Sequence, residues 1–540
     1  MRAEEYRRAT AARQGLLFMG GVPDVSFGDR VLVRDLHGRR RTGQVIRSGR
    51  EVVLVQVFEG TEDLDLENTW VRFLDEPFRM AVTRDLLGRV FSGIGEPQDG
   101  RPPLISAEKR NVNGAPTNPA ARAYPREFMQ TGISAIDGLN SLVRGQKLPI
   151  FSGSGLPHNR LAAQIVRQAK LPGQESRFAV VFAAMGVSYG DARFYQEEFE
   201  ASGVLGNVVM FINRADDPPI ERLILPRVAL TCAEYLAFDL DLHVLVVMTD
   251  MTYYAEALRE VATAKGDVPA RKGYPGYLYS DLAEIYERAG RIKEHGGSIT
   301  LVPVVSMPSD DITHPIPDLT GYITEGQIVL SRDLHNQDIY PPIDIPPSLS
   351  RLMKDGIGKD DTREDHPRAA SQLYASYARA LEVRNLASII GPEDLSESDR
   401  RYLTFAKGFE QRFVGQGEQE DRSIIETLNI AWELLSLLPA ESLSRVSEED
   451  IDKYHHWQSE EQVTAEDDMA AVAGKDSEEV VDEEEAGRQS QVAGHKTEDG
   501  EDTEGQPAGA HVQVTQGGEN GERESPKSQV AGPRSEENTS

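Results

Sequence analysis

The first 80 residues contain short apolar runs separated by turn residues. Gly28-Asp29, His37-Gly38 and Ser48-Gly49 mark the turns, and this close spacing is typical of a strand-only domain rather than of strands joined by helices. The pattern therefore predicts a small closed β-barrel over residues 1–80. The predicted strands are Val31–Val33, Gln44–Ile46, Glu51–Phe58 and Trp70–Phe73.

Between residues 81 and 365 the apolar runs alternate with stretches of helical periodicity. Buried-looking strands that alternate with helices indicate an α/β domain with a largely parallel sheet. A helix is predicted over Leu161–Ala169, directly after the first strand. The predicted strands are Lys147–Phe151, Phe178–Ala183, Val208–Ile212, His243–Met248 and Ile299–Val305.

From residue 366 to 456 the apolar positions follow a helical period, which predicts a compact helical domain. Gly391-Pro392 and Gly415–Gly417 separate its helices. We interpret the apolar and aromatic stripes as packing surfaces rather than as cofactor contacts. The stripes are Leu373, Tyr377 and Leu381; Phe405, Phe409 and Phe413; and Ile425, Leu428, Trp432 and Leu435.

Residues 457–540 differ in composition from the rest of the chain. No aromatic residue follows Trp457, and this stretch holds roughly 22 acidic against 6 basic residues. Such a segment cannot bury enough apolar area to offset its ordering entropy, which predicts a disordered acidic tail. An inert solvated extension and an interaction or solubilising role are both open for it.

Overall charge and cysteine content narrow the classes of function. The chain of 540 residues has a formal net charge of -30, which argues against a nucleic acid or an anionic membrane bound through a basic surface. Cys232 is the one cysteine and lies in an apolar helical stretch, so it is predicted to be a buried structural thiol, typical of a reducing compartment. We find no signal peptide and no apolar run near the roughly 20 residues that span a bilayer, so any membrane role goes through partners.

The loop between the first α/β strand and its helix has the setting of a phosphate-binding loop. That loop requires G-x-x-x-x-G-K-[ST], since backbone N–H groups wrap the phosphates, the lysine reaches the outer phosphates and the hydroxyl holds Mg²⁺. Here the four signature positions are occupied by Ser152, Pro157, His158 and Asn159, while Gly153 and Gly155 lie between them. Proline has no N–H to offer, histidine is shorter than lysine and mostly uncharged at neutral pH, and asparagine lacks the hydroxyl. An ordinary strand-to-helix turn and a degenerate nucleotide pocket both fit this window.

Asp250 ends the apolar run that starts at His243. In P-loop ATPases an aspartate at such a strand end holds Mg²⁺, but an acidic residue there also serves as the cap of the next helix. We include Asp250 in the degenerate pocket and predict no metal site of the chain's own.

Several longer motifs resemble the non-catalytic B subunit of V/A-type rotary ATPases. The resemblance covers about residues 15–455 with the motifs in the family's order, and leaves the acidic tail outside. The motifs are Arg144–Asn159, Phe128–Asp137, Val55–Gly60, Thr249–Arg259, Tyr274–Tyr277 and Pro341–Leu352. The resemblance implies a RecA-like, P-loop-type central domain with a degenerate phosphate loop between the barrel and the helical domain.

The resemblance also implies a place in the soluble head of a proton or sodium translocating ATPase or ATP synthase. Three such subunits would alternate with three catalytic A subunits around a central rotor stalk, with a peripheral stalk as a further partner. The chain would be cytoplasmic, attached to the membrane only through the complex, and not an enzyme on its own. No tightly bound cofactor is expected for the chain alone; MgATP or MgADP would lie at the interface with the catalytic subunit.

Two residues distinguish the expected role of this chain from that of a catalytic subunit. Catalytic subunits of rotary ATPases place a glutamate in a G-E-R segment after the second strand, whereas this chain has Val187 there, and valine can neither accept a proton nor align a water. In the family, the arginine that matches Arg351 reaches into the catalytic neighbour's site as an arginine finger in trans.

Two other classes of protein compete with this interpretation. A self-sufficient P-loop motor would need an intact G-K-[ST] and the carboxylate, and both are missing. A pure scaffold subunit, in which Arg351 has no chemical role, remains the alternative.

Overall fold

Seven antiparallel strands form the N-terminal part of the chain in the computed structural model, which describes residues 5–22, 24–106, 108–114, 118–173 and 177–456. They curl into one sheet in the order β1-β7-β4-β5-β6-β3-β2. Its inner face is a valine-rich core that includes Val31, Val45 and Val55. The strands are β1 Glu5–Tyr6, β2 Ala9–Arg13, β3 Leu16–Gly20, β4 Asp29–Arg34, β5 Arg40–Ser48, β6 Val52–Val57 and β7 Trp70–Pro77.

The four strands predicted here correspond to β4 to β7. Strands β4, β5 and β7 extend beyond the predicted bounds, and β6 is one residue shorter than predicted at each end. Strand β6 is buried on both faces because the curled sheet packs against the next domain: Val53 faces the valine core, whereas Leu54 joins the central core. Strands β1 to β3 were not predicted, since runs this short carry little periodicity.

The central sheet is built from mostly parallel strands in the order β21-β20-β14-β19-β17-β15-β16-β9. Only the edge strand β21 runs antiparallel to its neighbour in this order. Short pairs β8 with β10 and β12 with β13 flank the sheet, and β11 and β18 extend it at β19. The strands are β8 Arg79–Ala81, β9 Val90–Ser92, β10 Lys109–Asn111, β11 Arg122–Ala123, β12 Phe128–Met129, β13 Leu142–Val143, β14 Ile150–Gly153, β15 Phe178–Val187, β16 Val208–Arg214, β17 His243–Thr249, β18 Gly290–Ile292, β19 Ser298–Met307, β20 Gly326–Leu330 and β21 Ile343–Ser350.

Helices cover both faces of this sheet, which explains its continuously apolar strands. Neighbouring residues of β15 point to opposite sides: Val181 belongs to the core under the long fourth helix, whereas Phe182 packs on Tyr195 of the third. Cys232 is fully buried in the fourth helix, as predicted. The helices are α1 Ser134–Asp137, α2 His158–Gln168, α3 Tyr189–Ala201, α4 Pro219–Phe238, α5 Met251–Lys265, α6 Leu278–Tyr286, α7 Pro315–Ile323 and α8 Arg332–His335.

The predicted central strands are all present, but the first was placed three residues too early. Pro149 has no N–H for the ladder, so the paired strand begins at Ile150, and Lys147 makes only an isolated bridge to Leu301. The following helix begins at His158, before the predicted Leu161.

The C-terminal part of the described chain is helical: α9 His366–Ile390, α10 Glu397–Gly408, a π-helical turn Phe409–Val414, α11 Ile424–Leu435 and α12 Glu448–Tyr454. The phenylalanine stripe is a packing surface, with Phe409 stacked on Phe413 at 5.3 Å between ring centroids. In the stripe on α11, Leu428, Trp432 and Leu435 are buried as predicted, but its first member is Ile424, because Ile425 is exposed. The predicted tail, 457–540, lies outside the described residues. No helix in the described ranges is long and apolar enough to cross a membrane.

Candidate functional site

The degenerate loop connects β14 to α2 at the carboxyl ends of the parallel strands. We call this end of the sheet, which includes Ser152–Asn159 and Asp250, the carboxyl edge. Ser152 is fully buried, and its Oγ lies 3.0 Å from Nδ1 of His158. Pro157 occupies the N-cap position of α2 without a side-chain cap. The histidine is thus engaged within the loop rather than extended to where a phosphate would lie.

Arg332 and Asp310, which belong to two other segments of the chain, form a salt bridge that lies against the loop. Arg332 donates from Nη2 to the carbonyl of Ser154 at 2.8 Å, and its Nε lies 2.7 Å from Oδ2 of Asp310. A Cβ atom on Gly153 would meet Oδ1 of Asp310 at 2.1 Å. Hydrogen bonds from Arg332 hold the pKa of Asp310 below its usual value, so a negative charge lies directly against the loop.

Asn159 points away from any phosphate position. Its Nδ2 donates to Asp191 at 3.0 Å, and its Oδ1 accepts from the hydroxyl of Tyr195 at 2.7 Å. Both partners belong to α3, so the asparagine fastens α2 to α3. The position that holds Mg²⁺ in an intact loop therefore has a packing contact here.

Asp250 has the contacts of a helix cap. It is almost fully buried at the end of β17, accepts from the N–H of Thr252 at 2.8 Å, and accepts from the N–H of Ser306 at 3.1 Å. Burial raises the pKa of its carboxyl group. Within the described part of the chain, no group of three or more His, Cys, Asp or Glu side chains is arranged to hold a metal ion.

The place of the catalytic glutamate is apolar and backed by a buried arginine. Val187 ends β15 and is 5% exposed. Beside it, the N–H of Gly186 donates to Oδ1 of Asn213 at 3.2 Å, and Nε of Arg222 donates to the same oxygen at 2.9 Å. An amide oxygen that already accepts two bonds thus stands here, and neither contact involves a carboxylate that could orient a water.

Sequence reasoning missed Asp310, Arg332, Asn213 and Arg222. A usable signal existed for the first two, because Asp310 follows β19 and Arg332 follows β20, the two strands on either side of β14. Residues that follow neighbouring parallel strands meet at one edge of the sheet.

Arg351 follows β21, and its side chain is exposed. Its N–H donates to the carbonyl of Glu325 at 2.9 Å, and Nη1 donates to the carbonyl of Thr324 at 3.3 Å. Among residues that the structure describes, no carboxylate lies within ion-pair distance of its guanidinium. The exposed guanidinium is therefore held by one carbonyl through Nη1, and its charge is not neutralised by any carboxylate in the described ranges.

Arg351 lies at the opposite end of the sheet from the loop. The N–H of Glu325 donates to the carbonyl of Lys147, three residues before β14 begins, whereas the loop follows Gly153 at the other end. We call this end the amino edge. Six residues of strand span about 20 Å, so Arg351 cannot serve the chain's own loop.

Three family models match the chain in the order of its parts. Residues 16–75 match the "ATP synthase alpha/beta family, beta-barrel domain", residues 132–350 match the "ATP synthase alpha/beta family, nucleotide-binding domain", and residues 355–455 match the "C-terminal domain of V and A type ATP synthase". The predicted succession of a β-barrel, a nucleotide-binding-type domain and a helical domain is confirmed.

Close relatives agree with these matches. The V-type ATP synthase beta chain of Nitrosococcus oceani is 77% identical over 460 residues, which cover 85% of this chain and 96% of the relative. The corresponding B subunit of the A-type ATP synthase of Aeropyrum pernix is 60% identical, with coverages of 84% and 97%. Among solved structures, the ATP synthase subunit NeqB of Nanoarcheaum equitans has a TM-score of 0.63 and 43% identity, covering 79% of this chain and all of that one.

Proposed function

This chain belongs to the ATP synthase alpha/beta family as a B (beta) subunit of the V/A type, and we propose that it is the non-catalytic partner that supplies Arg351 to its neighbour's site. It assembles with catalytic A subunits, three of each alternating around a central rotor stalk and held by a peripheral stalk. The head lies on the cytoplasmic side of the membrane. MgATP or MgADP occupies the interface that Arg351 faces.

The carboxyl edge supports the non-catalytic half of this proposal. Phosphoryl transfer needs a lysine and backbone N–H groups on the phosphates, a metal-binding hydroxyl and a residue that orients the nucleophile. Pro157, His158, Asn159 and Val187 supply none of these groups, and the carboxylate of Asp310 lies against the loop.

The single observation that carries the trans role is the open guanidinium of Arg351 on the amino edge. An exposed arginine usually gains little from its surroundings. The backbone of this one is tied to the sheet, and its guanidinium makes one bond to a carbonyl and no ion pair within the described residues. A planar, always charged fork at a subunit boundary can stabilise the charge that develops on a transferring phosphoryl group.

The test is Arg351→Ala in hexamers reconstituted with wild-type catalytic subunits. Arginine fingers contribute roughly 10³ to 10⁵ in rate, so single-turnover ATP hydrolysis should fall by that order while assembly is unchanged. Arg40→Ala is the matched control, since Arg40 is an exposed strand arginine of the barrel. Near-normal chemistry with Arg351→Ala would leave the chain as a pure scaffold.

A further inference from the structure

Three side chains beneath Arg351 form a polar bracket, which we define as Gln146, Lys147 and Glu325. Resting on the trans role proposed above, we infer that this bracket holds Arg351 in register with the neighbouring subunit's site. Its members are positioning residues: the carbonyl of Glu325 accepts from the N–H of Arg351, Gln146 and Lys147 hold Glu325, and none of the three contacts the guanidinium.

Gln146 is the fully buried centre of the bracket. Its Oε1 accepts from the N–H of Val143 at 2.9 Å, which fixes the orientation of the amide. Its Nε2 then donates to the carbonyl of Glu325 at 3.1 Å and to Oγ of Ser350 at 2.9 Å. One side chain thus joins the residue before Arg351 to the carbonyl that receives the N–H of Arg351.

Three polar contacts connect Lys147 and Glu325. Nζ of Lys147 lies 2.7 Å from Oε1 of Glu325, the N–H of Lys147 donates to Oε2 at 2.7 Å, and the N–H of Glu325 donates to the carbonyl of Lys147 at 3.0 Å. The lysine is 4% exposed. Side chain and backbone of Glu325 are therefore both fixed relative to the start of β14.

The acceptor of the Arg351 side chain is fixed as well. Thr324 is 2% exposed, its N–H donates to the carbonyl of Thr320 at 3.1 Å, and its Oγ1 donates to the same carbonyl at 2.8 Å. At Gly326 a Cβ atom would meet the carbonyl oxygen of Leu349 at 2.3 Å, so β20 and β21 approach more closely than other residues allow. Both carbonyls that hold Arg351 thus belong to a rigid segment.

A purely structural role explains this arrangement less well. Burying a lysine and pairing it with a carboxylate contributes little net stability compared with an apolar pair of similar size. The bracket also borders an open cavity of about 370 Å³, lined by Lys147, Glu325, Arg122 and Leu352 among others. With open space on one side, packing alone does not fix the segment, so polar contacts must do so.

The experiment is a double-mutant cycle in reconstituted hexamers, measured by single-turnover hydrolysis so that low residual rates stay measurable. Gln146→Met removes both bonds that Gln146 donates, together with the acceptor of the Val143 N–H, at similar volume. A misplacement of about 1 Å can cost on the order of a hundredfold in rate, so we expect the rate to fall about ten- to a hundredfold with KM for ATP within about twofold. In the Arg351→Ala background the same substitution should cause no further loss.

Glu325→Gln is the milder second variant, which covers the case in which Gln146→Met does not fold. It removes the nearer of the two carboxylates that face Lys147, Glu287 being the other at 3.4 Å. It should lower the rate several-fold, again only when Arg351 is present. Asp99→Asn is the matched control, because Arg89 and Asp99 form a comparably buried ion pair beside β9 at the far side of the same sheet.

The outcomes separate this inference from the trans role itself. Equal losses with and without Arg351 would overturn the inference, because the bracket would act by another route. Wild-type rates for both bracket variants, beside a steep loss for Arg351→Ala, would overturn it too and leave the trans role standing. No loss for Arg351→Ala would remove both.

Discussion

The two edges of the central sheet use their polar side chains in different ways. At the carboxyl edge the polar side chains contact other parts of the same chain. Asp310 lies against the loop, Asn159 bonds to α3 and Asp250 caps α5. At the amino edge, the fork of Arg351 makes a single bond to a carbonyl within the described part of the chain. The carboxyl edge is closed by contacts within the chain, whereas the guanidinium at the amino edge is exposed.

Under the proposed function, this difference shows how a nucleotide-type fold can contribute to a neighbour's reaction without performing it. Since parallel strands expose separate edges about 20 Å apart, one edge can become part of the packed interior while the other presents a charge. Substitutions at the carboxyl edge should therefore change stability, and substitutions at the amino edge should change turnover.

The largest expected effect is that of Arg351→Lys. A flexible ammonium keeps the charge but loses the planar, bidentate fork. Single-turnover hydrolysis by reconstituted hexamers should fall by about 10² to 10⁴, almost as far as with alanine. Nucleotide affinity should change much less, because the contact strengthens as charge develops on the transferred group. A lysine variant with wild-type rates would show that charge alone suffices and would remove the need for a fixed fork.

The sequence predicted β14 to β17 and β19, but it predicted neither β20 and β21 nor the way the loops between strands meet. The apolar runs of β15 and β17 are long and unambiguous. In α11, Ile425 was predicted to be buried in place of Ile424, because two adjacent isoleucines fit the helical period equally well. The cover on the loop comes from segments more than 150 residues away from it along the chain. Only the strand order, with β14 between β19 and β20, brings Asp310 and Arg332 there.

The location of Arg351 at the amino edge could not be predicted from the sequence either. Its motif identifies an edge strand, because Pro346 and Pro347 cannot donate to a ladder. The antiparallel direction of β21, which returns Arg351 to the start of β14, follows from tertiary pairing with β20. Local sequence carries no record of that pairing.

A second prediction concerns pH and the carboxyl edge, where Glu221 of α4 bonds to the N–H of Gly93 at 2.6 Å. Burial, together with Asp217, Glu59 and Glu96, raises the pKa of Glu221 from 4.5 to about 7. A carboxyl group with a raised folded-state pKa contributes stability below about pH 4.5 that is lost as the pH rises to about 7.

Glu221→Gln should therefore stabilise the chain at pH 8 by about 1 to 3 kcal/mol and leave its stability at pH 4.5 nearly unchanged. Thermal unfolding at the two pH values measures this, with Glu200→Gln on an exposed face of α3 as the control. Turnover of the hexamer should stay at the wild-type value. A large change in turnover would contradict the division between the two edges.

A smaller effect is expected from Arg332→Ala. Both partners of its salt bridge with Asp310 are about two-fifths exposed, so the pair contributes about 0.2 to 1 kcal/mol. Thermal unfolding should show that small loss. Combining Arg332→Ala with Asp310→Ala should cost less than the sum of the single losses, because the two share one interaction. Hydrolysis by hexamers containing Arg332→Ala should stay within about twofold of wild type, and a steep fall would mean that the carboxyl edge takes part in catalysis.

The smallest expected effect belongs to His158→Lys, which restores the residue that phosphate loops use. We expect no ATP hydrolysis by the isolated variant and no clear gain in MgATP binding. Pro157 still offers no N–H, Val187 still cannot orient a water, and the carboxylate of Asp310 remains against Gly153. Calorimetric titration with MgATP measures binding, and an assay of the contaminant-free chain measures hydrolysis. The same titration on the double variant His158→Lys, Asp310→Ala tests whether the carboxylate of Asp310 keeps MgATP from the loop. Tight binding by the single variant would show that the carboxyl edge is one residue away from a working site rather than closed by its own packing.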